Sequence, residues 1–181
     1  LNITRNWGNE TFNRLLRLKS SYIQYSRQIN NITQHSNSYL TALGYSWIKR
    51  ELENPLLANK GYVLHLHIDG AANNLLSNIS FTRAHAKVDW YYPLSQHFDF
   101  KWRTELGTHW VGETNTNSDF DGKVILEDYL FKLGGDQTIR GYPNKSITLP
   151  GGVGANHMGL LSAEITYWFL DKWGVATFVD T

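Results

Sequence analysis

The stretch FDFKWRTELGTHW, Phe98 to Trp110, decides the fold. Phe98, Phe100, Trp102, Leu106 and Trp110 alternate with Asp99, Lys101, Arg103, Glu105 and His109. A period of two puts the two sets on opposite faces of an extended strand. A helix would gather the charges on one arc, and they do not fall that way.

The same pattern spreads outward in both directions. Ala84, Ala86, Val88, Trp90 and Tyr92 alternate with Arg83, His85, Lys87, Asp89 and Tyr91, and Tyr62, Leu64, Leu66 and Ile68 with His65, His67 and Asp69. Downstream, Leu161, Ala163, Ile165, Tyr167 and Phe169 alternate with Ser162, Glu164 and Thr166. Upstream, Tyr39, Thr41, Leu43, Tyr45 and Trp47 alternate with the smaller Ala42, Gly44 and Ser46. Two weaker strands, Asn2 to Trp7 and Phe12 to Ser26, and a last strand, Trp173 to Asp180, bring the expected number to eight. Most match the roughly 9–11 residues of a tilted membrane strand.

The connections alternate in length. Trp7 to Glu10, Asn54 to Gly61, Pro93 to Gln96 and Asp171-Lys172 read as short turns. Gln28 to Asn37, Gly70 to Asn78 and Glu113 to Met158 read as long polar loops. Short turns at one end and long loops at the other is the layout of an outer-membrane barrel. The loop 113–158 runs about 45 residues, far beyond ordinary loops, which marks it as functional or structured in itself.

Composition fits this reading and narrows the alternatives. Seventeen Lys and Arg against 16 Asp and Glu leave a net charge of +1, so bulk electrostatics give no case for nucleic acid. The absence of cysteine removes disulfides, thiolate metal sites and cysteine nucleophiles. Aromatic content of 14% with only 41% hydrophobic residues suits a barrel with aromatic girdles, and also a soluble β-sandwich. Dense charges of opposite sign on neighbouring polar faces, and Trp47, Trp90, Tyr92, Trp102 and Trp110 near strand ends, favour the barrel. His65 and His67 share a face with His85 nearby, and without a defined third ligand no metal site is assigned. No nucleophile, zinc-protease or P-loop motif is present, so neither a catalytic residue nor a cofactor is expected. The chain begins at Leu1 without a signal peptide, and it reads as a fragment of a longer protein.

Within the long loop stands GGDQTIRGYPNKSI, Gly134 to Ile147. The Gly134-Gly135 pair, a short spacer and Arg140-Gly141-Tyr142 resemble the loop signature of the outer-membrane protein assembly and translocation barrels. That superfamily includes the BamA-like and TamA-like barrels of the bacterial surface antigen family, and the resemblance is greatest to the translocation and assembly module type. GLLSAEITYWF (Gly159 to Phe169) and WGVATFVD (Trp173 to Asp180) resemble the two strands that follow this loop, and Leu56 to Gly61 loosely resembles an earlier family turn.

The resemblance implies an all-β, antiparallel transmembrane β-barrel, of which residues 1–181 form one partial domain. In the family's sixteen-stranded barrels these would be the sixth to thirteenth strands. It implies that the extracellular-side loop 113–158 folds into the lumen, where Arg140 meets acidic residues. Strand parity independently offers Glu164 and Asp180 as its partners. Gly134, Gly135 and Gly141 would permit unusual dihedrals, and Tyr142 would pack beside Arg140. The function implied is non-enzymatic assembly, insertion or translocation of outer-membrane or secreted client proteins in the bacterial outer membrane. The partners implied are lipid, unfolded clients and an inner-membrane or periplasmic subunit. The alternatives are a two-partner secretion transporter on the same fold and, from another class, a soluble ligand-binding β-sandwich.

Overall fold

A computed structural model describes residues 1–29, 32–54, 58–73, 76–114, 126–170 and 173–181. Its strands are β1 (Asn2–Gly8), β2 (Phe12–Ile29), β3 (Ile32–Leu52), β4 (Gly61–Ala71), β5 (Ile79–Pro93), β6 (Phe98–Thr114), β7 (His157–Leu170) and β8 (Trp173–Asp180). They form one sheet in the order β1 to β8, each strand antiparallel to its neighbour. This is an all-β antiparallel meander consistent with part of a β-barrel wall. Among the described residues all strands belong to this one sheet.

Register carries the faces from strand to strand, because directly paired residues project to the same side. Trp90 pairs with Trp102, and Trp102 with Ala163. Tyr92 pairs with Phe100, and Phe100 with Ile165. This face is open: Trp90 is 50% exposed, Trp102 44% and Ile165 40%. A soluble protein does not leave so broad an apolar surface to water, and lipid is the solvent that suits it.

On the other face, opposite charges pair across strands. Lys87 lies opposite Glu105 and Asp89 opposite Arg103, with ion-pair distances of 3.2 Å and 2.9 Å. Asp69 receives His67 at 2.7 Å and Arg83 at 3.3 Å. The indole of Trp168 donates to Asp99 at 2.8 Å, and Lys101 sits 5.5 Å from the Tyr91 ring centroid. These charges have partners close by, which is how ionic groups persist away from bulk water.

The expected loop Gln28 to Asn37 is largely strand. β2 runs to Ile29 and β3 starts at Ile32, with register unbroken from Gln24↔Asn37 to Ile29↔Ile32, and the two residues between them lie outside the described residues. Its Asn, Gln and Ser content reads as a loop because the apolar alternation stops, but main-chain pairing needs no apolar face. The turn at Asp171-Lys172 and the turn residues Pro55 to Leu57 lie outside the described residues.

A charge placed at mid-strand on the apolar face should be costly only if that face meets lipid. Leu106→Arg should lower unfolding stability in phospholipid vesicles by about 2–4 kcal/mol, read from urea titrations. An unchanged midpoint would contradict a lipid-facing Leu106.

Candidate functional site

The described part of the loop between β6 and β7, residues 126–156, lies on the charged face, and Arg140 fastens it there. The sequence at its tip makes the approach possible. Gly134, Gly135 and Gly141 have φ of 109°, 97° and 86°, a region that side-chain-bearing residues rarely adopt. At Gly134 a Cβ would also run into the Pro143 carbonyl oxygen. The Gly135 N–H donates to the carbonyls of Ile139 (3.1 Å) and Tyr142 (2.9 Å), closing the segment into a compact knot. The Gly134 N–H donates to Thr138 Oγ1 at 2.8 Å. Arg140 is carried on this knot.

Arg140 spends nearly all its donors on β7 and β8. Its Nε donates to Asp180 Oδ2 at 3.0 Å and its Nη2 to Asp180 Oδ1 at 2.8 Å, a two-pronged grip on one carboxylate. Its backbone N–H reaches the same Oδ2 at 2.9 Å. Nη1 pairs with Glu164, and Nη2 also donates to Ser162 Oγ at 3.1 Å. The Ser162 hydroxyl in turn donates to Asp180 Oδ1 at 2.6 Å. Ser162 and Asp180 are register partners, as are Glu164 and Phe178, so four neighbouring wall positions form one cradle.

The guanidinium carbon lies 3.5 Å from the Phe178 ring centroid, a cation–π contact closing the cradle from beneath. The bonds to Asp180, and then to Glu164, hold the guanidinium's pKa above even its usual value. The Asp180 side chain is 3% exposed and that of Arg140 21%. The structure thus brings Arg140, Glu164 and Asp180 together. It does not bring Tyr142 beside them. Tyr142 is 57% exposed, contributing its carbonyl to the knot, and Phe178 supplies the aromatic surface instead.

Two further attachments escaped sequence reading. Arg103 on β6, oriented by Asp89, donates from Nη1 to the Gln137 carbonyl at 2.8 Å, gripping the knot from the other side. Nearer the loop's start, Leu126 and Tyr129, on and beside the short 3-10 turn Glu127–Tyr129, pack with Leu40, Ala42, Ile79 and Phe81 of the wall. The Tyr129 and Phe81 ring centroids are 4.5 Å apart. Lys19 reaches Asp128 at 3.4 Å. Burial, then the nearby carboxylates of Asp69 and Asp128, push the Tyr129 phenol up to about 12, so it stays neutral in this setting.

Phe131 follows, lying under Arg83 with 4.7 Å between guanidinium carbon and ring centroid. It sits against Gly107, where any Cβ would strike its ring. The signal for this anchor was present as Leu126, Tyr129, Leu130 and Phe131, an apolar cluster within a polar loop. The histidines are taken up by the wall. His67 contacts Ser46 and Asp69, His85 contacts Glu105, and the His65 ring centroid stands 6.3 Å from each of the other two. Among the described residues no group of three or more His, Asp or Glu is arranged to hold a metal ion.

A single antiparallel sheet with an open apolar face, a paired-charge face and a loop latched to the latter defines a wall segment of a transmembrane-type β-barrel. The Omp85 superfamily domain matches residues 1–181, and the chain belongs to that superfamily. At the level of the superfamily this means an outer-membrane barrel engaged in inserting or translocating proteins.

Arg140→Ala would leave the buried Asp180 with a hydroxyl as its remaining partner. It should lower stability by roughly 3 kcal/mol, the cost of stranding one member of a desolvated pair, measured by urea unfolding. Arg140→Lys should recover only part, since an ammonium cannot grip Asp180 with two parallel donors. Equal midpoints for wild type and Arg140→Ala would mean that the latch contributes nothing.

Tyr129→Ala tests the second anchor separately. Loss of an aromatic side chain buried to this degree should cost about 3 kcal/mol or more if the wall cannot close over the gap. Proteolysis should then cut the loop upstream of Leu133 faster while the Arg140 knot stays protected. Unaltered cleavage would show that this anchor does not restrain the loop.

Proposed function

We propose that the chain forms wall and inner loop of a barrel of the translocation and assembly module type, TamA-like, which assembles or inserts outer-membrane and secreted clients without covalent catalysis. The observation that carries this reading is the Arg140 knot, a GGDQTIRGY segment bound through Glu164 and Asp180 to the two strands that follow it. Loop 113–158 is read as entering the lumen from the extracellular side, so that the charged face is luminal. The latched loop would brace the wall while another part of the barrel opens to a client. An exposed strand edge could then template the client's strands through main-chain pairing. Unfolded client proteins, outer-membrane lipid and an inner-membrane or periplasmic subunit are the partners proposed. No cofactor enters this scheme.

Deletion of the gene should deplete a set of outer-membrane and secreted proteins, as measured by quantitative proteomics of the isolated outer membrane. Loss of one secreted passenger alone would favour a two-partner secretion transporter. Normal levels of every such protein would overturn the assembly role. Re-expression of the Arg140→Ala variant should restore those levels only in part.

A further inference from the structure

Arg14 lies on the face where a membrane strand ordinarily carries apolar side chains. Register fixes this: Arg14 pairs with Trp47, Trp47 with Leu66, Leu66 with Ala86 and Ala86 with Leu106. Its other neighbour is Trp7. The guanidinium lies 5.8 Å from the Trp7 ring centroid and 5.2 Å from that of Phe12. Its Nε is buried and has no hydrogen-bond partner among the described residues. No carboxylate among them pairs with it or with Arg5, which shares this face through its pairing with Leu16. The nearby Lys49, by contrast, is neutralised by Glu51 at 2.6 Å. Beyond the covered Nε, the guanidinium makes no hydrogen bond or ion pair among the described residues while its residue is only partly buried, so its terminal nitrogens are left to take an anion.

A groove leads away from it. It encloses about 770 Å³, is lined almost wholly by apolar atoms, and runs from Arg14, Tyr45 and Trp47 past Leu66 and Ala86 to Leu106. The small side chain of Ala86 sets its depth between larger neighbours. From β2 to β6 are four strand spacings of about 4.8 Å, together about 19 Å, which exceeds the roughly 15 Å of hydrocarbon in one leaflet.

The direction of the groove matters. Arg14 is two residues from the turn end of β2 at Phe12, whereas Ala86 is seven from Pro93 and Leu106 eight from Phe98. The row therefore starts beside the short turns and climbs into the middle of the strands. Short turns are the periplasmic end of outer-membrane barrels, and aromatic residues mark the headgroup level there. The cation is thus placed at headgroup depth and the groove at acyl-chain depth.

We propose that Arg14 and this groove hold one anionic phospholipid of the periplasmic leaflet, its phosphate on the guanidinium and one acyl chain along Trp47, Leu66, Ala86 and Leu106. Arg5 adds a second positive charge at the headgroup. This proposal rests on the reading of the apolar face as lipid-facing.

The test is native mass spectrometry of the protein expressed from its full gene, purified from the outer membrane and exposed to vesicles of phosphatidylglycerol and phosphatidylethanolamine in equal parts. Wild type should retain one phosphatidylglycerol in preference to phosphatidylethanolamine. Arg14→Gln should lower that retention at least threefold, and Arg14→Lys should lower it less. Ala86→Phe, which fills the groove and leaves Arg14 in place, should lower it comparably. It also keeps the test decisive if Arg14→Gln fails to fold, and heat-modifiability on a gel checks folding of each variant. Equal retention by wild type and folded variants, or no preference between the two lipids, would overturn the site while leaving the membrane reading intact. A stronger retention of lipid A than of phosphatidylglycerol in a parallel arm would overturn the assignment to the periplasmic leaflet. Recovery of the protein outside the outer-membrane fraction would overturn both readings.

Discussion

Arg140 carries a charge from the middle of a long loop onto the wall of β7 and β8, and the course of the surrounding chain depends on where that charge is satisfied. Asp180 is almost wholly enclosed, so the pair it makes is shielded from the screening that weakens exposed ion pairs. Such an enclosed pair is not by itself a large source of stability, because both ions had to leave water. Its strength lies in specificity. A planar guanidinium that meets Asp180 with two donors, Glu164 with a third and Phe178 with its face accepts very few positions. The knot of Gly134 to Tyr142 is therefore fixed relative to the wall, not merely near it.

The wall can offer this cradle because its register is regular there. Ser162, Glu164, Phe178 and Asp180 are neighbours only while β7 and β8 keep the pairing Ser162↔Asp180 and Glu164↔Phe178. A slip of one residue would turn Asp180 to the apolar side and put Val179 beneath Arg140. The latch thus reports on strand register as well as on loop position. Elsewhere the same face balances its charges locally, through Asp69 with Arg83 and Glu105 with Lys87, so that Arg140 is not drawn to another carboxylate.

Much of this was legible from residues alone, for a simple reason. Where one face meets an apolar solvent and the other does not, a period of two is enforced, and Phe98 to Trp110 displays it plainly. The parity of Glu164 and Asp180 followed from the same rule. What the rule does not reach is pairing without an apolar face, and so the extension of β2 and β3 into Gln28 to Asn37 read as loop. Nor does it give the course of a loop. The approach of Arg103 to the Gln137 carbonyl joins a strand to a main-chain atom 34 positions away, and a carbonyl leaves no mark in the side-chain sequence. Phe178 was missed for a related reason: an aromatic on the polar face looks like an error of phase until a cation is placed over it.

Leu126 and Tyr129 at one point, and Arg140 at another, bind the same loop to the same wall by unlike forces. The tether between Tyr129 and Arg140 is eleven residues, and from Gly134 onward it belongs to the compact knot, so it is short. While either point holds, the other is confined near its partner at an effective concentration in the millimolar range. Detachment therefore proceeds through half-bound states from which recapture is fast. The two points also answer to different conditions. Cooling weakens the apolar contact, and protonating the carboxylates weakens the ionic one, so a single change of environment leaves the loop with a foothold.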